Sequence, residues 1–219
     1  MKHAASLVAV LCLTAGCDRL GDLFGGISGS GVIKTESRDP GPAASVDVSG
    51  AYTVDIVCQK EPNLVLEGDD NILPLIHTDV VDGKLIVSSE KRFSVKTPIK
   101  VHISTGTLRG VSASGASKIS VQNVSVDQFG LELSGASEIV VAGQVKSFSI
   151  QSSGASTVKA RDLHAARVSV NLSGAGHADV YATDEVNVEA SGAASVTYFG
   201  DPKTVHKSAS GAAAVNKGS

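Results

Sequence analysis

Residues 131–141 have the sequence LELSGASEIVV, in which Ser134-Gly135-Ala136 separates two short stretches of alternating apolar and polar residues. This stretch represents the whole architecture, because the triplet Ser-Gly-Ala recurs along the chain with its glycines 18 to 20 residues apart. Such internal periodicity is the signature of an architecture built from stacked repeats. The six glycines of the series are Gly115, Gly135, Gly154, Gly174, Gly192 and Gly211.

The positions around each glycine alternate in polarity. Apolar residues recur four and two positions before the glycine and four and six positions after it, and the positions between them are mostly polar. A period of two predicts two short strands with one buried face, joined by a bend at the triplet. One unit is too short to bury that face alone, so neighbouring units must stack. We therefore predict an all-β fold, a right-handed β-solenoid with coils of about 19 residues.

The triplet itself suggests how the corner is built. Glycine fits a backbone that needs a positive φ or the close approach of the next coil, and we expect all six glycines to be structural corners. We expect the serine before each glycine to bond backbone groups of the bend through its hydroxyl. The alanine that follows is expected to occupy a corner too tight for a larger side chain.

The chain before residue 111 is less regular. A copy of the template surrounds Gly50, and a degenerate copy surrounds Gly68. The pair Asp82-Gly83 lies between two apolar runs and predicts a hairpin turn. We expect residues 31–110 to be all-β and continuous with the regular repeats of 111–219, capping one end of the stack.

The N-terminus has the layout of an export signal. The apolar run 4–13 is too short to span a bilayer stably. It is followed by Thr14-Ala15-Gly16-Cys17, which resembles the lipobox of bacterial lipoproteins and implies that Cys17 is acylated. An ordinary cleaved signal with an incidental cysteine is the alternative.

These observations divide the chain into three parts. We expect a lipoprotein signal peptide over 1–17, a flexible Gly/Ser-rich tether over 18–30 and a β-solenoid domain over 31–219. The expected location is the cell envelope, where the lipid would hold the protein on the outer membrane or on the periplasmic face of the inner membrane.

Composition excludes some functions. A net charge of -3 and a pI near 6.0 provide no basic stripe for phosphate neutralisation, so no nucleic-acid partner is expected. After signal removal and acylation Cys58 is the remaining thiol, and its apolar surroundings predict a buried structural role.

No residue pattern indicates catalysis, a metal or another cofactor. The best acidic candidate is the group Glu67, Asp69 and Asp70, which could hold Ca²⁺ but lacks the spacing of a known loop, so a solvated turn is the alternative. Glu132 and Glu189 share one outward column but lie three coils apart, roughly 14 Å. That separation exceeds the roughly 5–9.5 Å between the carboxyl groups of glycosidases.

Several motifs in a fixed order resemble the putative autotransporter-adhesin head domain family, also described as the head GIN domain. They include Gly29-Ser30-Gly31, the stretch 66–73 with Asp69-Asp70-Asn71, the Ser-Gly series and Tyr198-Phe199-Gly200-Asp201-Pro202. The resemblance implies a β-solenoid head and an adhesin-like role.

The expected function is a non-enzymatic envelope module that presents a solenoid face to a glycan or protein partner. A purely structural spacer and a carbohydrate-active enzyme are the alternatives. The sequence identifies no ligand-binding residue.

Overall fold

The computed structural model describes residues 26–219, which form a β-solenoid of about five turns joined to a less regular all-β cap. The predicted fold class is therefore confirmed. Within this part of the chain, no helix has the length and apolar character needed to cross a membrane.

The cap and the first coil are built from short strands and one 3-10 turn, Leu73–Leu75. The strands are β1 (Ile27–Ser28), β2 (Ile33–Arg38), β3 (Ser45–Gly50), β4 (Thr53–Cys58), β5 (Asn63–Asp69), β6 (Ile76–Val81), β7 (Lys84–Ser89), β8 (Phe93–Ser94) and β9 (Lys100–Thr105).

The regular coils contain four long strands, each of which runs from one corner to the next, and shorter strands at both ends of the stack. They are β10 (Gly110–Gly115), β11 (Lys118–Gly135), β12 (Glu138–Gly154), β13 (Thr157–Gly174), β14 (His177–Gly192), β15 (Ser195–Phe199), β16 (Thr204–Ala209) and β17 (Ala214–Lys217).

Successive coils pair in parallel with equivalent residues opposite each other. Gly115 pairs with Gly135, and Gly135 pairs with Gly154. At each corner the alanine N–H donates to the glycine carbonyl of the preceding coil, as from Ala155 to Gly135 at 2.8 Å. Gly50 belongs to the same file, because it pairs with Gly115 across 65 residues of sequence.

The corner glycines have backbone conformations that disfavour other residues. Gly115 has φ 109° and Gly154 has φ 137°, and a β-carbon on either would overlap the carbonyl oxygen of the glycine in the neighbouring coil. Both the positive φ and the close approach of the neighbouring coil therefore favour glycine at these corners.

The inward columns form one continuous core. The apolar positions of the template are buried through the coils, and the rings of Phe129 and Phe148 stack within the core with centroids 6.1 Å apart. Residues that could not form a core within one coil thus form one together.

The cap combines parallel and antiparallel pairing. β7 and β9 extend the stack in parallel beneath β3 and β4. β6 pairs with β7 in an antiparallel hairpin, and Asp82 and Gly83 at its turn have φ 51° and 74°, as the two-residue turn requires. The prediction of a degenerate coil around Gly68 is wrong: β5 is antiparallel to both β9 and β2, because its apolar residues cover the end of the core.

The expected role of the corner serines and alanines is also wrong in part. The alanines are exposed, and the serine of the triplet mostly faces solvent. A different serine, two positions after the glycine, forms the hydrogen bonds with the backbone at the corner. Ser117 is 1% exposed, and its hydroxyl accepts a hydrogen bond from the Tyr52 N–H and donates one to the Gly50 carbonyl. Ser137 and Ser156 continue this buried ladder.

The C-terminal coil ends the stack with two lysines in core columns. The Lys207 ammonium lies 4.6 Å from the centroid of the Tyr198 ring and donates to the Val215 carbonyl at 3.4 Å. Lys217 pairs with Asp201 at 2.7 Å. Both lysines therefore place a charge at the open edge, where it discourages pairing with another chain.

Candidate functional site

One sheet of the solenoid carries a groove that runs along the stacking axis. This sheet contains β3, β10 and the second halves of β11 to β14, which lie side by side before the corners. Three adjoining depressions of about 500, 510 and 270 Å³ follow it and share lining residues such as Ser112, Gly130 and Gln151. The groove therefore crosses several coils and does not belong to one of them.

The floor of the groove is a ladder of very small residues, here called the floor ladder. It occupies the outward position five residues before each corner glycine, where successive coils pair directly. Because glycine has no side chain and serine a short one, backbone is accessible along the middle of the sheet. The floor ladder consists of Ser45, Gly110, Gly130, Ser149 and Ser169, with Lys84 and Asn187 at its ends.

Longer polar side chains line the two sides of the floor ladder. The corner wall occupies the outward positions two residues nearer the corner, and the far wall those two residues farther from it. The corner wall consists of Asp47, Ser112, Glu132, Gln151, Asn171 and Glu189. The far wall consists of Gln128, Ser147, Arg167 and Glu185, with Arg109 beside Gly110.

The charged groups of the groove have no ion-pair partner among residues 26–219. Arg167 donates to Ser147 Oγ at 3.4 Å, Asn171 donates to Glu189 at 3.4 Å, and Ser112 is within 3.5 Å of Glu132. These hydrogen bonds are long and exposed, so both walls keep free capacity for a ligand. The charged groups are Lys84, Arg109, Arg167, Asp47, Glu132, Glu185 and Glu189.

This arrangement suits binding better than catalysis. Hydroxyl, amide and carboxylate groups repeat at the strand spacing, and together they donate and accept hydrogen bonds along the whole groove. Asp47 and Glu132 line the same depression two strands apart, roughly 10 Å. That is slightly wider than the roughly 6.5–9.5 Å between the carboxyl groups of an inverting glycosidase.

The predicted acidic cluster does not assemble. Glu67 pairs with Lys100 at 2.8 Å, and this bond lowers the pKa of the Glu67 carboxyl. Asp69 is turned inward and 2% exposed, and Asp70 points outward toward Lys34 at 3.9 Å. The three carboxylates therefore point to different partners, because Glu67 pairs with Lys100 while Asp69, at the end of β5, turns inward and accepts the Gly31 N–H. Across residues 26–219 no group of three or more His, Cys, Asp or Glu side chains could hold a metal ion.

The Asp-Asp-Asn motif instead holds the N-terminal segment, an arrangement here called the clamp. Asp69 Oδ1 accepts the Gly31 N–H at 2.5 Å, Asn71 Oδ1 accepts the Ser30 N–H at 2.9 Å, and the Ser30 hydroxyl donates to Asp70 at 2.6 Å. The last residues of the expected tether are thus fastened to the cap, where β1 also pairs with β8.

The remaining residues predicted from the sequence are two cysteines and the six corner glycines. Cys17 lies outside the described residues. Cys58 is 1% exposed in the core, and its burial raises the pKa of the thiol to about 11, so little thiolate exists at neutral pH. The six corner glycines form one file along the solenoid, each against the glycine of the neighbouring coil.

Sequence reasoning missed the groove and the residues that form it. A signal was present, because the position five before the corner contains only glycine, serine or asparagine from Gly110 to Asn187. Small residues in one outward column of a solenoid indicate a trough. The columns that identify the coils are the apolar ones, and the size of an outward side chain leaves no mark in a pattern of polarity.

Comparison with known families supports an adhesin relationship. The family model described as "Putative auto-transporter adhesin, head GIN domain" matches residues 44–202. These residues include the first coil, the cap strands β5 to β9 and the whole groove. Among curated protein sequences there is no match.

Solved structures share the fold. A putative adhesin from Bacteroides fragilis superposes with a TM-score of 0.69 at 21% identity, over 88% of this chain and 100% of that one. A putative adhesin from Parabacteroides merdae has a TM-score of 0.56 at 18% identity, over 88% and 99%. A protein from Parabacteroides distasonis described as a putative lipid binding protein has a TM-score of 0.53 at 20% identity, over 88% and 99%.

Proposed function

Because the chain belongs to the family described as "Putative auto-transporter adhesin, head GIN domain", we propose that it is a non-enzymatic binding module of the cell envelope. Its axial groove binds an extended partner, either a glycan or a protein segment. The neighbours of similar fold are described as putative adhesins or as a putative lipid binding protein, which supports a binding role without identifying the ligand.

The observation that carries the proposal is the groove itself. A spacer needs only a buried core and a soluble surface, and it would tolerate any polar residue on its outer face. Here the floor ladder is small over four successive coils, from Gly110 to Ser169, and both walls present charged groups that form no ion pair with any other described residue. Unpaired groups around a long depression are what a polymeric ligand requires.

We also propose that the module is held at a membrane through acylation of Cys17. The lipobox-like sequence supports this anchor, and the adhesin-like family supports a cell-envelope location. Several buried acyl chains hold a protein on a bilayer without a transmembrane helix.

The binding role is tested by filling the groove. Ser149→Gln with Ser169→Gln places two long amide side chains on the floor ladder without changing charge. The matched control is Ser120→Gln with Ser195→Gln, which adds the same volume on outward positions beyond the corner. All variants carry Cys17→Ser so that acylation at that position is removed.

Glycan arrays and envelope extracts then serve as sources of partner. We expect the parent and the control to retain the same partner and the groove-filling variant to lose it. A partner retained equally by all three proteins would contradict binding in the groove and favour another face. The absence of any retained partner would favour the structural spacer.

A further inference from the structure

The two walls of the groove differ in charge where they flank the smallest part of the floor. Over the coils that contain Gly110, Gly130, Ser149 and Ser169, the far wall carries Arg109 and Arg167 and no carboxylate. The corner wall over the same coils carries one carboxylate, Glu132, among hydroxyl and amide groups. Over these coils the groove is therefore cationic on one side and hydrogen-bonding on the other, and Glu185, opposite Arg167 on the next coil, ends the cationic stretch.

The cationic side is available to a ligand. The guanidinium group of Arg109 has no hydrogen-bond or ion-pair partner within the described residues, and Arg167 has only the 3.4 Å contact to Ser147 Oγ. Lys84 closes the floor ladder at the cap end and also lacks an ion pair there. Arginine is suited to this position because its planar fork binds a carboxylate through two parallel hydrogen bonds.

The two arginines define a minimum ligand length. Arg109 belongs to the coil of Gly110 and Arg167 to the coil of Ser169, three strand spacings farther along the axis, roughly 14 Å. A single sugar ring cannot reach both. A ligand that uses both must extend along the groove, and the small floor ladder leaves room for its backbone.

These observations point to a ligand with carboxylates along one edge and hydroxyls along the other. We infer that the groove binds an unbranched acidic polysaccharide containing uronic acid residues. Each uronic acid ring carries its carboxylate on one side and neighbouring hydroxyls on the other. The carboxylates face Arg109 and Arg167, and the hydroxyls face Glu132, Gln151 and Asn171.

The acidic residues of the groove fit this orientation. Glu132 accepts hydrogen bonds from ligand hydroxyls on the corner wall, on the side away from the arginines. Glu185 and Glu189 lie one coil beyond Arg167, and Asp47 lies one coil before Ser112. These carboxylates repel an acidic ligand at both ends of the groove, so they limit its binding to the coils between them. This inference rests on the proposed function, since it identifies the ligand class of the same groove.

The test uses the full chain with Cys17→Ser and oligogalacturonate of six units as the probe. Maltohexaose is the neutral probe of equal length, and galacturonic acid is the monomer. We expect binding of the acidic hexamer, at least ~10-fold weaker binding of the neutral hexamer and no measurable binding of the monomer, because each charged hydrogen-bonded pair is worth roughly a factor of ten or more.

Variants of the two arginines then test whether the far wall binds the carboxylates of the ligand. Arg109→Ala and Arg167→Ala are each expected to weaken binding of the acidic hexamer ~10-fold, and Arg167→Lys less than Arg167→Ala because the charge remains. The control Arg161→Ala removes an exposed arginine that stacks on Phe199 outside the groove and should leave binding unchanged. Added salt should weaken hexamer binding by the parent more than hexamer binding by the variant that carries both Arg109→Ala and Arg167→Ala.

Equal binding of the acidic and neutral hexamers would overturn the inference, and so would an equal effect of Arg161→Ala, which indicates unspecific charge attraction. If Ser149→Gln with Ser169→Gln abolishes capture of a neutral glycan or a protein while the arginine variants have no effect, the groove still binds but the acidic class is wrong. If neither set of variants affects capture of a retained partner, the groove proposal fails as well.

Discussion

Gly154 lies directly against Gly135 of the preceding coil, so that a β-carbon on Gly154 would overlap the Gly135 carbonyl oxygen. That same oxygen accepts the Ala155 N–H at 2.8 Å. The bend and the attachment of one coil to the next therefore depend on the same few backbone atoms.

Replacement of this glycine should be costly. Gly154→Ala combines a left-handed backbone with a backbone overlap, and we expect a loss of at least ~2 kcal/mol of unfolding free energy. Urea denaturation measures it. Gly106→Ala is the control, because Gly106 does not have a positive φ and a β-carbon there would lie 3.9 Å from its nearest neighbour, the Lys60 carbonyl oxygen. Equal midpoints for the two variants would contradict the corner geometry.

The buried serine ladder should matter more than the exposed serines of the triplet. Ser117→Ala leaves the Tyr52 N–H and the Gly50 carbonyl without their partner in a buried position, which should cost ~1–3 kcal/mol. Ser114→Ala should change stability by less than ~0.5 kcal/mol, because its hydroxyl bonds to Ser49 in an exposed position. Thermal melts of both variants measure these losses, and a larger loss for Ser114→Ala than for Ser117→Ala would contradict the prediction.

The lysines of the last coil should keep the protein monomeric at that end. Lys207→Val with Lys217→Val removes both charges from the open edge and extends its apolar surface, so we expect concentration-dependent association. Light scattering after size-exclusion chromatography measures the mass. Lys118→Val with Lys159→Val is the matched control within the solenoid, and association of both variants to the same degree would argue against a specific effect at the edge.

Alkaline pH should destabilise the fold through Cys58. Burial raises the pKa of its thiol from 9.0 to about 11, so the unfolded chain loses this proton at a lower pH than the folded protein does. The contribution of the buried thiol is present below pH 9 and is lost as the pH rises toward 11. Cys58→Ala should reduce the slope of stability between these values. An unchanged slope would indicate that Tyr52, whose pKa is raised to about 12 by burial, dominates the alkaline response.

The clamp should control the N-terminal segment without affecting the core. Asp69→Ala removes the acceptor of the Gly31 N–H, and Asn71→Ala removes that of the Ser30 N–H. We expect faster hydrogen exchange at Ser28 to Val32 in the double variant and unchanged exchange in β12. Asp79→Ala, on the outer strand of the cap, serves as the control. Protection that persists in the double variant would show that the backbone contacts, β1 with β8 and the Asp70 N–H with the Val32 carbonyl, hold the segment.

The regular coils could be predicted because each buried column repeats. Val111, Leu131 and Ile150 occupy one position in successive units, and only stacking buries all of them. The glycine corners were predictable for the same reason. The copy at Gly50 also followed the template, although its direct pairing with Gly115 across a long excursion did not follow from local spacing.

Other features depend on contacts that local pattern does not encode. Leu64 and Leu66 alternate like a coil strand, yet β5 runs antiparallel because the end of the core had to be covered. Ser117 looks like any polar residue of a bend, and its burial depends on the Tyr52 N–H of another coil. The groove depends on side-chain size in an outward column, which polarity alone does not reveal.

The pairing of Gly50 with Gly115 has a consequence for the order of folding. Coils from Gly115 onward contact partners about 20 residues away, whereas the edge of the first coil that faces them pairs with a segment 65 residues later in the chain. Closing the longer loop costs more chain entropy and slows the step. During synthesis, β7 and β9 can therefore cover one edge of the first coil, while its other edge stays unpaired until β10 and β11 emerge, and any chaperone that protects this protein should act on that edge of residues 45–58 during the interval.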